Sequence, residues 1–295
     1  MRTIGLLGVP TNSAGTISGV ARAPTTLREV GLVDALRQHT EVHDYGDVML
    51  PDPSPERDPV THLIDPDGLV ALVTRVRHAV ASILDDGHFP LVIGGDCPLL
   101  LGCLLAAKTH HRIGLLFVDG HEDAYLPAQS STGEAADTEL AFALGIADGS
   151  WWPELAAVLP IVAPADVRIL GARDAALPRA ESVASLGDRL ALVDGDRLSA
   201  EPAGLAAEAV SPLPDPWWFH LDLDVLSTEA LPAIDYPQPG GLGWNELSLV
   251  VTAALGGNPT GWDITIYNPD LDPERIHAQR IVRFIGSMIG EASGR

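Results

Sequence analysis

A regular alternation of short apolar runs with amphipathic stretches constrains this chain more than any other feature. Runs at Thr3–Gly8, Glu41–Gly46, Phe89–Gly94, Ile113–Asp119, Val167–Gly171, Leu190–Val193, Trp217–Leu223 and Gly261–Tyr267 have the length and bounding turn residues of buried strands. Helical stretches recur between and after them at Ala23–Gln38, Leu69–Asp86, Pro98–Thr109, Leu140–Ala147, Arg179–Leu186, Gly204–Ala209, Trp244–Leu255 and Asp272–Ile289. Strand and helix alternating in this way predict a three-layer α/β/α sandwich around a mainly parallel eight-stranded sheet. At 295 residues the chain can bury one such core and lacks an evident linker for two, so residues 1–295 are read as a single domain.

Charge and cysteine usage narrow the function classes. A formal charge of −22 argues against nucleic acid, because neutralising a phosphate backbone needs a basic surface. No apolar run approaches a membrane span, and Gly5, Gly8 and Pro10 interrupt the one N-terminal stretch that resembles a signal segment. Cys97 and Cys103 are too few for a disulfide framework, which fits a reducing cytoplasm. The expectation is a cytoplasmic protein acting on a small molecule.

Chemistry concentrates at two of the strand ends. Asp119-Gly120-His121-Glu122-Asp123 follows one apolar run, and Asp222-Leu223-Asp224 follows another. Open α/β sheets bind ligands at the carboxyl ends of their strands. Alternate residues on a strand point the same way, so Asp222 and Asp224 share a face of theirs, and so do Asp119, His121 and Asp123 if that strand runs on, a pattern suited to two adjacent cations bridged by carboxylates. Irregular segments at Leu126–Thr138 and Pro232–Gly243 follow these strands and are candidate substrate loops, whereas Asp52–Asp67 reads as a surface excursion.

Gly94-Gly95-Asp96-Cys97, Asp119-Gly120-His121-Glu122-Asp123 and His220-Leu221-Asp222-Leu223-Asp224-Val225-Leu226, in this order, resemble the motifs of the arginase and agmatinase (ureohydrolase) family. Gly171-Ala172-Arg173-Asp174, Pro239-Gly240-Gly241-Leu242, Asp263 and Asn268-Pro269 support the likeness, which covers nearly the whole chain. It implies a dinuclear centre, usually manganese, whose bridging hydroxide attacks a guanidinium or amidine carbon, in a homo-oligomer that is commonly a trimer or hexamer. By position, Asp119 and Asp222 bridge, His121 and Asp224 complete one metal site, and Cys97 and Asp123 complete the other.

Cys97 stands where most of the family has histidine. A thiolate favours Zn2+, Fe2+ or Co2+ over manganese, so three readings stay open: Cys97 ligates, leaves its site weak, or is redox-sensitive. The family's proton-shuttle histidine is matched by Ala136, its guanidinium-clamping acid by Ile266, and its carboxylate-holding asparagine by Tyr125. Glu134 is a candidate acid or base or a binder of a cationic substrate group, against an exposed loop carboxylate. His220 is either a donor or proton relay behind the metals or plain packing. Thr132 and Asp174 complete the candidate substrate contacts, Asp174 being alternatively part of a structural ion pair.

These departures argue against arginine and agmatine. The leading expectation is a metal-dependent hydrolase of a carbon–nitrogen bond in a small amidine, guanidine-like or amide substrate. Alternatives are a lyase or isomerase using the same cations, or a metal-binding pseudoenzyme.

Overall fold

The structure, a computed structural model, describes residues 3–108, 112–174 and 185–294. Eight strands form one sheet: β1 (Ile4–Val9), β2 (Val42–Asp47), β3 (Phe89–Gly94), β4 (Gly114–Val118), β5 (Val167–Leu170), β6 (Ala191–Val193), β7 (Trp217–Asp222) and β8 (Gly261–Thr265). Their order is β2-β1-β3-β8-β7-β4-β5-β6, and every pairing is parallel. All eight expected strands are present. The fold is the expected α/β sandwich.

The central strands are apolar on both faces because both faces are covered. Leu116 and Val118 of β4 pack into one core with Leu91, Ile93 and Phe219, while Leu115 and Phe117 pack into the other with Val92 and Trp218. At the edge, β2 alternates differently and carries exposed polar residues, which discourages pairing with another chain. Arg28 spans Asp44 and Asp47 of this strand, with contacts of 3.0 Å and 2.5 Å, and ties the edge to the helix Ala23–Glu29.

Helix boundaries differ from the sequence reading where a local residue dictates it. The stretch expected as one helix over Ala23–Gln38 is two, Ala23–Glu29 and Leu32–Arg37, because Gly31 takes a left-handed φ of +98° between them. The helix expected from Leu69 begins at Pro66, where Asp65 caps it by accepting from the Gly68 N–H at 3.1 Å. Most of the expected helix at Arg179–Leu186 lies outside the described residues; Leu186–Asp188 is a 3-10 turn. Among the described residues no helix is long and apolar enough to cross a membrane.

The excursion at Asp52–Asp67 is a buttress as well as a surface loop. Arg57 donates to the carbonyl oxygens of His62 and Ser130, both at 2.7 Å, and Ile64 N–H donates to Gly133 O at 2.7 Å. It thereby supports the loop over Leu126–Thr138. Sequence reading missed this because an Arg that binds only carbonyls leaves no charge pairing to find.

Candidate metal centre

The sheet order explains how motifs far apart in sequence meet. Strands β3, β8, β7 and β4 are consecutive neighbours, so Cys97, Thr265, Asp222 and Asp119 emerge side by side at their carboxyl ends. Gly95 makes the β3 end possible. A Cβ there would lie 2.0 Å from the Thr11 carbonyl oxygen and 2.7 Å from its nitrogen, both backbone atoms. Gly95→Ala is therefore expected to cost about 1–3 kcal/mol of stability by overpacking and to displace Cys97; chemical denaturation would measure the first, and unchanged stability would contradict it.

The ligand-type residues converge through side-chain-capped turns, which corrects the strand-alternation argument. β4 ends at Val118 and β7 at Asp222, after which Leu223–Val225 is a 3-10 turn and Asp123 takes a left-handed φ of +42°. Beyond the sheet no neighbouring strand holds the backbone extended, and aspartate side chains capture the free N–H groups instead. Asp119 Oδ1 accepts from His121 N–H at 2.6 Å, and Asp222 Oδ1 accepts from Asp224 N–H at 2.6 Å. Asp224 Oδ1 accepts from Gly120 N–H at 2.9 Å, binding the two motifs together. Arg173 reinforces that junction by donating to the Asp224 carbonyl at 2.6 Å.

Each of these carboxylates thus spends one oxygen on the backbone and has the other left over. Asp119 Oδ2 has no hydrogen-bond partner, Asp222 Oδ2 accepts from the Cys97 thiol at 2.9 Å, and Asp224 Oδ2 lies 2.7 Å from His121 Nδ1. Three overlapping groups bring one donor atom per residue within 4.8 Å of one another: Asp119, His121 and Asp224; Cys97, Asp119, Asp123 and Glu139; and Cys97, Asp119, His220 and Asp222. All six expected metal residues are in this cluster. Asp119 belongs to every group.

The electrostatics fit cations. Burial, then repulsion from neighbouring carboxylates, pushes Asp222 and Asp123 well above the usual carboxylate range, and Asp119 is raised for the same reasons. Burial works against a charged His121, yet Asp224 and Asp119 outweigh it and lift the imidazole to about 10. Without a cation the crowding favours the protonated forms of Asp119, Asp123, Asp222 and His121, and divalent cations would take the place of those protons. Buried carboxylate oxygens without donors suit such ions.

Two ligand-type residues have different surroundings. Glu122 turns away and accepts from the Ser185 hydroxyl at 2.5 Å and from Leu186 N–H, anchoring the loop. His220 is wholly buried, stacked on Phe117 with ring centroids 4.7 Å apart, and has Nδ1 2.5 Å from Asp263 Oδ2. Its Nε2 points to Asp119 Oδ2 at 3.7 Å. It is the one imidazole in the group with Cys97, Asp119 and Asp222.

Above the cluster lies a cavity of about 310 Å³ whose lining includes Tyr125, Thr132, Asp174 and Ile266, all four expected substrate contacts. Thr132 spends its hydroxyl on Asp137 at 2.6 Å, while Asp174 Oδ1 has no partner. Burial above all raises the Asp174 carboxyl to about 6, against the lowering effect of His121. Ile266 has a φ of +67°, a left-handed conformation that costs a β-branched residue about 1–3 kcal/mol. Its N–H donates to Gly95 O at 2.9 Å, which holds it there. Glu134 lies in an adjoining cavity that shares Ala136, Tyr236 and Ile266, and accepts from the Tyr236 hydroxyl at 2.8 Å. Tyr236 and Asp235, from the second substrate loop, were missed because no motif marks them.

Known proteins resemble this chain over nearly its whole length. The Arginase family model matches residues 2–290. Arginase-1 of Homo sapiens is 29% identical over 288 residues, covering 93% of this chain and 88% of that protein. The arginase of Bacillus caldovelox is 27% identical over 301 residues, covering 99% of each. Among solved structures, arginase from Bacillus cereus superposes with a TM-score of 0.83 at 24% identity, covering 98% of this chain and 99% of that one. Proclavaminate amidino hydrolase from Streptomyces clavuligerus has a TM-score of 0.68 at 20% identity, covering 99% and 92%. With residues 2–290 matched by the family model, the chain belongs to the arginase family, whose members are metal-dependent hydrolases of carbon–nitrogen bonds.

Proposed function

We propose that this protein hydrolyses a carbon–nitrogen bond in a small amidine, guanidine-like or amide compound other than arginine or agmatine. The observation that carries the proposal is the joining of a buried ligand cluster to a cavity whose wall is apolar at Ile266. An isoleucine cannot form the paired hydrogen bonds that a planar guanidinium demands. Ala136 and Tyr125, in place of the family's histidine and asparagine, point the same way.

Two divalent cations held here would activate water for attack and stabilise charge on the substrate. Asp119 and Asp222 would bridge them, with His121 and Asp224 on one side and Cys97 and Asp123 on the other. The carboxylates favour Mn2+, while the Cys97 sulfur moves its own side toward Zn2+, Fe2+ or Co2+. His220 would orient Asp119, and Asp174 would meet a polar group of the substrate. By family likeness the assembly is a homo-oligomer, a trimer or hexamer.

Glu134 would manage protons. Burial foremost, with Asp96, pushes its carboxyl up to about 7 even though the Tyr236 hydroxyl lowers it. A base works ionised, so turnover is expected to rise with pH through a limb at or below about 7, since nearby cations favour the ionised form. Glu134→Gln should remove that limb and slow turnover roughly 100-fold. A pH profile unchanged in the variant would exclude Glu134.

A substrate panel tests the main proposal. The metal-loaded protein should release little urea from arginine or agmatine and should liberate ammonia or amine from at least one formimino, amidine or acyl-amide compound. Rapid urea release from arginine would overturn it.

A further inference from the structure

Glu139 opens the short helix Glu139–Ala143 that follows the first substrate loop. It is fully buried, and neither carboxylate oxygen receives a hydrogen bond from an N–H or O–H group, its neighbouring side chain being the Asp123 carboxyl. A carboxylate removed from water without donors costs several kcal/mol unless a cation compensates it. Its backbone is anchored to the metal motif, since the next residue, Leu140, donates its N–H to Asp123 O at 3.1 Å. Its side chain presents an oxygen within 4.8 Å of donor atoms on Cys97, Asp119 and Asp123.

We propose that Glu139 is a ligand of the cation on the Cys97 side, which would then be held by Cys97, Asp123 and Glu139 together with the bridging Asp119 and Asp222. This rests on the two-cation reading of the site. One sulfur and four carboxylates form a harder donor set than the thiolate alone suggests, so the side that loses an imidazole gains an oxygen ligand for ions such as Mn2+. A different role would be purely structural, with Glu139 protonated and packed against Asp123.

The test is equilibrium binding of Mn2+ by the full chain, for wild type, Glu139→Gln and Glu139→Asp, together with melting temperatures in chelator. Wild type should bind two ions. Glu139→Gln should retain one and bind the second roughly 100-fold or more weakly, because losing a direct ligand costs at least as much as losing a residue that orients one. Glu139→Asp, with a shorter reach, should fall between them. In chelator the Gln variant should melt no lower than wild type, since a buried carboxylate without partners is removed. Two ions bound equally well by wild type and Glu139→Gln would overturn the ligand role while leaving the two-cation centre intact. A Gln variant that melts lower in chelator would also overturn it, as a structural carboxyl. Fewer than two ions in wild type would overturn the centre and the ligand role together.

Discussion

Replacement of Asp119 by asparagine is expected to abolish binding of both cations and to lower kcat/KM roughly 1,000-fold or more, each factor of ten corresponding to about 1.4 kcal/mol of transition-state stabilisation. Asp119 is the residue common to all three ligand groups. Its Oδ1 already accepts from His121 N–H, and Oδ2 is the free oxygen facing the cluster. Asparagine keeps the shape and can keep the first hydrogen bond, but it brings an N–H donor to where a cation would sit. Metal content and kinetics on the same preparation measure the effect, and a variant that keeps two ions would contradict it.

Asp263→Ala should have the largest effect on stability, a loss of about 3–5 kcal/mol, as when one partner of a buried charged pair is removed. Asp263 is wholly buried and serves two side chains through its two oxygens, accepting from the Trp218 indole N–H and facing His220 Nδ1, each at 2.5 Å. Burial opposes charge on His220, but Asp263 and Asp119 more than offset it and hold the imidazole well above its ordinary value. Truncation leaves a buried imidazolium without its closest partner and an indole without an acceptor. The midpoint of chemical denaturation is the readout. A shift equivalent to less than about 1 kcal/mol would mean that the pair is not structural.

The fold was legible because its cause is local and repeated. Central strands such as β3 and β4, apolar on both faces, leave uninterrupted runs such as Leu91-Val92-Ile93 and Leu115-Leu116-Phe117. The six residues expected as metal ligands stand in motifs visible in the sequence and meet in one cluster, though the expected strand geometry is not what assembles them: Asp119 and Asp222 each turn the chain with one carboxylate oxygen. Glu139 was not legible. It stands alone at the head of the apolar run Leu140-Ala141-Phe142-Ala143, and only the tertiary contact with Cys97, Asp119 and Asp123 distinguishes it from a helix-opening surface acid. Arg57 and Tyr236 escaped for a similar reason, since their partners lie about 70 or 100 residues away on other loops.

A crystal of the protein grown with Mn2+, with anomalous diffraction recorded at the manganese edge, tests the central claim most directly. Two peaks about 3.5–4 Å apart are expected, one beside His121 and Asp224 and the other beside Cys97 and Asp123, with Asp119 and Asp222 between them. A single peak, or none among these residues, would contradict the two-cation centre.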